Sequence, residues 1–283
     1  MKLFKGFNKD MTCRDFQYEE GKTYEMDSAM LCHHGFHACE HPLDCFGYYP
    51  PANSVYREVE LDGVTDEEGD DTKRVGTKIT VKGALNIRGL IDATFEYVKS
   101  QCTNSKSGGN MSALTGGNRS ALTGGNRSAL TGGDYSALTG GNRSVLSGGD
   151  YSALTGGYRS ALTGGNRSAL TGGNYSALTG GNRSVLTGGD YSALTGGNRS
   201  VLTGGDYSAL TGGNYSALTG GNRSVVYGGI GSKVRGGVHS VLAIRYCDEN
   251  SCTRIAFAEV DGEKIKADTW YRLDDDHEFV EVE

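Results

Sequence analysis

Cys32, His33, His34, His37, Cys39, His41 and Cys45 fall within fourteen residues, the densest set of nucleophilic and metal-ligating side chains in the chain. Zinc takes four such groups in a tetrahedron, and Cys32, His37, Cys39 and Cys45 are the four that a fold would have to bring together. There is no Cys-x-x-Cys knuckle, however, and Phe36 and Ala38 sit among the candidates as core residues. A strand with buried cysteines and exposed histidines accounts for the segment equally well, so no metal and no cofactor is assigned. Cys39 near a histidine has the composition of a nucleophile–base pair, which adjacency in sequence does not establish. Cys247 and Cys252 flank an expected hairpin turn and read as free thiols, or as a disulfide in an oxidising setting. The acidic run 66–71 lacks the spacing of an EF-hand loop, and Thr-Gly-Gly-Asn-Arg lacks the lysine and helix of a phosphate loop. No catalytic residue is assigned, and the chain is expected to be non-enzymatic.

The other chemistry is periodic. The unit Ser-Ala-Leu-Thr-Gly-Gly-x-x begins at Ser112 and keeps its register to Ser240, with seventeen serines spaced eight apart. An octad cannot bury an apolar face alone, so stacked copies must constitute the fold. Alternation along a strand turns Leu114 and its successors inward with the serines, and turns Ala113, Thr115 and their equivalents outward. The Gly-Gly pair is expected to make the corner by taking positive φ. One octad is an arm and a corner, so sixteen residues make a two-sided coil.

Read in sixteens, the residue before each serine falls into two columns. One holds Arg119, Tyr135, Tyr151, Arg167, Arg183, Arg199 and Tyr215; the other holds Arg127, Arg143, Arg159, Tyr175, Tyr191, Tyr207 and Arg223. Where one edge shows tyrosines the other shows arginines, which suits self-association through cation–π contacts between protomers. A homo-oligomer or fibre is therefore the leading expectation. The alternative is a surface-binding row on the outward threonines Thr123, Thr139, Thr155, Thr171, Thr187, Thr203 and Thr219, with the outward alanines of the two faces becoming valine at Val145, Val185, Val201 and Val225.

These columns need elements to hold them. Residues 1–100 read as a small α/β domain, with strands at Ser54–Leu61 and Thr77–Val81 and a helix or strand over Leu90–Tyr97. Repeats occupy 104–243, and 244–283 form a β cap of two hairpins that ends the solenoid with polar, charged residues. The fold class is mainly β: a two-sided β-solenoid of 16-residue coils with an N-terminal α/β domain and a C-terminal β-hairpin cap. The 283 residues contain 45 glycines and 3 prolines and carry a net charge of −6. Between Gly108 and Ser224 eight arginines and four aspartates leave +4, so the flanks carry −10, a poor balance for duplex DNA. No stretch is apolar enough to cross a membrane, no signal peptide is recognisable, and the cytoplasm is the default compartment.

The repeats resemble those of the bacterial ice-nucleation proteins. That family builds sixteen-residue coils from two octads, with an arm similar to Ser120-Ala121-Leu122-Thr123, and the likeness extends to the closing segment Gly237–Tyr246. It covers about 104–283 and is closest to the family's arginine-bearing coils, which are implicated in joining protomers. The family's water-organising arm carries two outward threonines; here Ala or Val takes the first place, so the implied hydroxyl array is halved. Residues 1–100 are similar to an uncharacterised module found before varied repeats in phage and bacterial proteins, tagged by Gly35-Phe36-His37-Ala38-Cys39.

Overall fold

The computed structural model describes residues 1–65, 71–249 and 251–282, and its chain divides into two compact units, Met1–Tyr97 and Val98–Glu283. The expected acidic loop lies outside the described residues except for Asp71, as does Asn250 of the expected cap turn.

In the first unit the strands are β1 (Lys2–Asn8), β2 (Thr12–Cys13), β3 (Phe16–Gln17), β4 (Thr23–Glu25), β5 (Phe36–Cys39), β6 (Ser54–Val64) and β7 (Lys73–Ala84). The main sheet runs β4-β7-β5-β1-β6, and because β7 also pairs with β6 the sheet closes on itself. Leu3, Phe7, Phe36, Ala38, Val59, Leu61, Ile79 and Val81 fill its interior. A 3-10 turn at Pro42–Asp44 leads into helix α1 (Cys45–Tyr48), and helix α2 (Ile87–Gln101) begins in this unit. Leu90–Tyr97 is therefore helical: Asn86 caps its start by accepting from the Gly89 N–H at 2.9 Å.

The second unit is the two-sided solenoid. Parallel arms alternate between an eleven-stranded sheet, face one, and a ten-stranded sheet, face two. Each arm pairs in register with the arm sixteen residues away, as Ala169-Leu170-Thr171 does with Val185-Leu186-Thr187. The leucines are at most 1% exposed from Leu122 to Leu218, and the serines that open each octad from Ser120 to Ser240 at most 2%. A buried hydroxyl needs partners, and most of these have two. Ser168 Oγ accepts from the Ser152 N–H at 3.4 Å and donates to the Gly149 carbonyl at 3.3 Å, both one coil back.

The corners are built differently from the expectation. The repeat glycines from Gly108 to Gly229 keep negative φ, and the left-handed residue is the arginine or tyrosine, with φ between 53° and 60° from Arg119 to Arg223. That conformation turns its N–H onto the next coil, as Arg183 donates to the Asn198 carbonyl at 2.8 Å. The glycines are required by space. A Cβ at Gly180 would lie 2.9 Å from the Leu186 and Ser184 side chains, and one at Gly181 2.6 Å from Asn166 Oδ1 of the preceding coil.

At the C-terminal end both sheets turn antiparallel. Lys233–Arg235 pairs with Trp270–Leu273, which pairs with Phe279–Val282, and Val241–Cys247 pairs with Thr253–Glu259. Val260, Ile265 and Tyr271 cover the last leucines of the core. Val241–Cys247 is thus at once the last parallel arm and the first cap strand.

If stacking imposes the glycines, the same substitution should differ between coils. Gly181→Ala is expected to cost about 1–3 kcal/mol of unfolding free energy. Gly117→Ala, at the equivalent corner where a Cβ meets nothing within 4 Å, should cost under about 1 kcal/mol. Denaturant melts of the two variants decide it; equal losses would return the requirement to backbone conformation.

Candidate functional site

Each corner begins with an asparagine or aspartate two residues before the serine, with Tyr158 the exception between 110 and 222. Its Oδ1 accepts the N–H of the equivalent residue one coil on: Asn118 from Asp134 at 3.0 Å, Asp150 from Asn166 at 2.7 Å, Asn182 from Asn198 at 2.8 Å. This ladder holds the following Arg or Tyr of successive coils directly above one another. Sequence reasoning missed it, although an amide or carboxylate recurring every eighth residue was its signal.

On the column before the face-two arms, Tyr175, Tyr191 and Tyr207 stack in parallel with ring centroids 4.8 and 4.9 Å apart. The Arg159 guanidinium lies 5.5 Å above one end and that of Arg223 5.6 Å beyond the other. The Tyr191 phenol is held above its ordinary value, by desolvation first and then by Tyr175 and Tyr207. On the column before the face-one arms, Tyr135 and Tyr151 stack at 4.7 Å between Arg119 at 6.0 Å and Arg167 at 4.9 Å. The expected cation–π contacts are thus made within the chain. Stacked ring faces are taken, and the Tyr151 and Tyr207 hydroxyls already accept from the Arg167 and Arg223 guanidinium groups; ring edges and the other hydroxyls are what remain.

The two columns differ in exposure. Arg127, Arg143, Arg159, Tyr175, Tyr191, Tyr207 and Arg223 are exposed. Tyr135, Tyr151, Arg167, Arg183 and Arg199 are half-buried, and Tyr215 is exposed. The expected threonine row lies on face one, where Thr123 is exposed and Thr139, Thr155, Thr171, Thr187, Thr203 and Thr219 are half-buried. Ala137, Ala153, Ala169, Val185, Val201 and Ala217 beside them are buried. Face two carries the open row: Thr131, Ser147, Thr163, Thr179, Thr195 and Thr211 are all exposed, with the alanines and Val145 two positions before them.

The cysteine–histidine segment does not converge on a metal site, although Cys32, His33, His34, His37, Cys39 and Cys45 all line one cleft of the first unit. Among the described residues no three His, Cys, Asp or Glu side chains form a metal-ligating group. Cys39 and Cys45 are buried, Cys32 is exposed, and His41 is buried against Tyr97 with ring centroids 5.3 Å apart. His37 Nδ1 lies 3.1 Å from the Gly35 carbonyl, and Nε2 accepts from the Cys32 N–H at 3.1 Å, so both ring nitrogens are engaged in pinning that loop. The Cys39 thiol is pushed well up by its hydrogen bond with Cys45 and by burial, the opposite of an activated nucleophile. Cys247 and Cys252 are exposed and not joined in a disulfide.

Residues 1–93 match the model of a family described as a domain of unknown function (DUF7666). No curated protein and no solved structure matches the chain.

Burial, then the charge of Lys5, lowers His37 from an ordinary 6.5 to about 4. The unfolded chain therefore takes up a proton before the folded one does. The ring's contribution to stability should be complete above about pH 6.5 and decline as pH falls towards about 4. Urea midpoints across that range, compared between the native protein and His37→Gln, should show this slope lost in the variant; identical slopes would refute it.

Proposed function

We propose that this protein is a non-enzymatic scaffold whose solenoid pairs with a second copy of itself along the corner column before face two. The observation that carries the reading is the order of that column. From Arg127 forward it runs Arg127, Arg143, Arg159, Tyr175, Tyr191, Tyr207. An antiparallel copy, related by a two-fold axis midway between Arg159 and Tyr175, runs three tyrosines and then three arginines. Because every step is one coil, the axis sets all six positions in register at once, and each arginine meets a tyrosine.

The neighbouring residues agree in charge. The same axis sets Asp206 opposite Arg127 and Asp190 opposite Arg143 of the second copy. With the ring faces already stacked and the Tyr207 hydroxyl accepting from Arg223 of its own chain, a partner's guanidinium would meet the phenol oxygens of Tyr175 and Tyr191 and the carboxylates beside Tyr191 and Tyr207, through charge-assisted hydrogen bonds. The column is also accessible: Tyr175, Tyr191 and Tyr207 are 43–49% exposed. A two-fold contact uses one patch twice and closes on itself, so a dimer is the expected state.

Absolute mass by light scattering across concentration and salt should show a dimer that weakens as salt rises. Tyr191→Arg sets like charges across the axis and should weaken the dimer at least about tenfold. Adding Arg143→Tyr to the same chain exchanges the pair and should restore it. A strict monomer at every concentration, or a double variant no better than the single one, would overturn the reading.

A second reading, binding to ice or another regular surface, is favoured by the exposed Ala-x-Thr row of face two and by the resemblance to ice-nucleation repeats. Thr179→Lys, in the middle of that row, should abolish ice affinity while leaving the mass unchanged. Persistence of ice affinity in that variant would dismiss the row.

A further inference from the structure

The first unit contains a cleft of about 1130 Å³ that neither ladder explains. It lies where β1, β4, β5 and the β2–β3 hairpin meet the loop carrying residues 26–35. Two kinds of side chain line it. Phe16, Tyr18, Tyr24 and Phe36 meet edge-on or tilted, with centroids 4.7–6.4 Å apart. Three of these rings support Phe16, which is nevertheless 44% exposed. A large ring held in place by its neighbours with its face accessible can stack a planar partner.

Cations supply the other part. Lys5, on a strand whose neighbours are apolar, is only 6% exposed. Its ammonium donates to the His37 carbonyl at 2.8 Å and lies 5.5 and 5.7 Å from the rings of Phe7 and Tyr18. Among the described residues no carboxylate is ion-paired with it. An ammonium has three donors, and burying it against one carbonyl and two rings leaves its charge uncompensated. Lys73 adds a second ammonium, 3.2 Å from Cys32 Sγ and 4.8 Å over the Tyr48 ring. Arg14 also lines the cleft, whereas of its acids Asp15 and Glu25, Glu25 is paired with Lys78 at 2.6 Å. The lining is therefore cationic.

The wall between these parts is held in unusual backbone geometry. Arg14 and Cys32 have φ of 55° and 65°, and Gly35 has φ of 115° with no room for a Cβ, which would lie 2.5 Å from Val75. Such conformations persist where the surroundings impose them, and they gather at ligand clamps. His37 fixes this wall through both ring nitrogens, as described above.

We propose that the cleft binds a small anion built on a planar ring, of the size and chemistry of a nucleoside monophosphate, with the ring against Phe16 and the anionic group at Lys5 and Lys73. The volume is slightly above the ordinary range for small-molecule sites, about 300–1,000 Å³, and leaves room for a ring, a linker and a charged group together. This site is independent of solenoid pairing and would make the first unit a sensor or carrier module.

Calorimetric titration of the full chain with AMP, GMP, UMP and phenyl phosphate tests it, with adenosine and inorganic phosphate as the separated halves. At least one joined molecule should bind at concentrations up to about 1 mM, and at least about tenfold more tightly than either half. Purine or pyrimidine preference follows from comparing the nucleotides. Lys73→Met and Phe16→Ala, both away from the interior core, should each weaken that affinity by about tenfold or more, on the order of one charged contact or one stacked ring. Lys5→Met should do the same if its melting curve remains cooperative. No binding by any of the four phosphates, halves that bind as well as the joined molecule, or unaltered affinity in folded Lys73→Met and Phe16→Ala would overturn the proposal.

Discussion

Successive coils of the solenoid must approach closely enough for the side-chain oxygen of one corner to reach the backbone N–H of the next, and nearly every letter of the octad follows from that spacing. The Asn or Asp supplies the oxygen. The first glycine leaves room for serine and leucine of its own coil, and the second leaves room for the asparagine of the coil before. Serine satisfies two backbone groups one coil back from a position where no water reaches. Leucine fills what remains of a thin core. Three positions escape this constraint: the outward Ala or Val, the Thr, and the left-handed Arg or Tyr. Surface chemistry has to reside there, since a change at any other position acts on the stack itself.

The left-handed corner shows how one interaction overrides a local preference. Positive φ costs an ordinary side chain roughly 1–2 kcal/mol, and here it is adopted by bulky residues at every corner from Met111 to Arg223. The conformation aims the N–H at the carbonyl of the next coil, giving bonds of 2.7–2.9 Å from Arg119 to Tyr215. A buried donor without a partner would cost as much as the strain or more. The hydrogen bond therefore decides the conformation, and the side chain is carried outward at a fixed angle. Regular stacking of Tyr175, Tyr191 and Tyr207 is a consequence of that backbone.

This explains what was legible in the residues and what was not. Inward Leu and Ser, outward Ala and Thr, the sixteen-residue coil and both cap hairpins followed from alternation and period, which are properties of single strands. The reason for Gly181 did not, because its nearest atom belongs to Asn166, a whole coil away. The expectation placed positive φ on the glycine, the residue that tolerates it best, and the structure places it on Arg183. The seven face-one threonines were equivalent in sequence to those of face two, and only the folded chain distinguishes the exposed Thr179 from the half-buried Thr171. In the first unit the Cys32–Cys45 cluster drew attention by composition. Most of that cluster does line the cleft, but the ring and ammonium groups proposed to bind there, Phe16, Lys5 and Lys73, are too far apart in sequence to form a motif.

A repeat array that pairs with itself faces a particular difficulty, because identical rungs match in many registers and a uniform ladder would slide. The column before face two is not uniform. Moving an antiparallel copy by one coil in one direction sets Arg159 against the Arg159 of the second copy, and like charges in contact are repulsive. Moving it by one coil in the other direction sets Tyr175 against Tyr175 and Arg127 against Arg223. Only the axis between Arg159 and Tyr175 pairs every arginine from 127 to 159 with a tyrosine and keeps both aspartates opposite arginines. Specificity of this kind comes from disfavouring the alternatives as much as from the favoured contact. The stack makes all registers geometrically equal, so in the proposed dimer the order of three arginines followed by three tyrosines would select one of them.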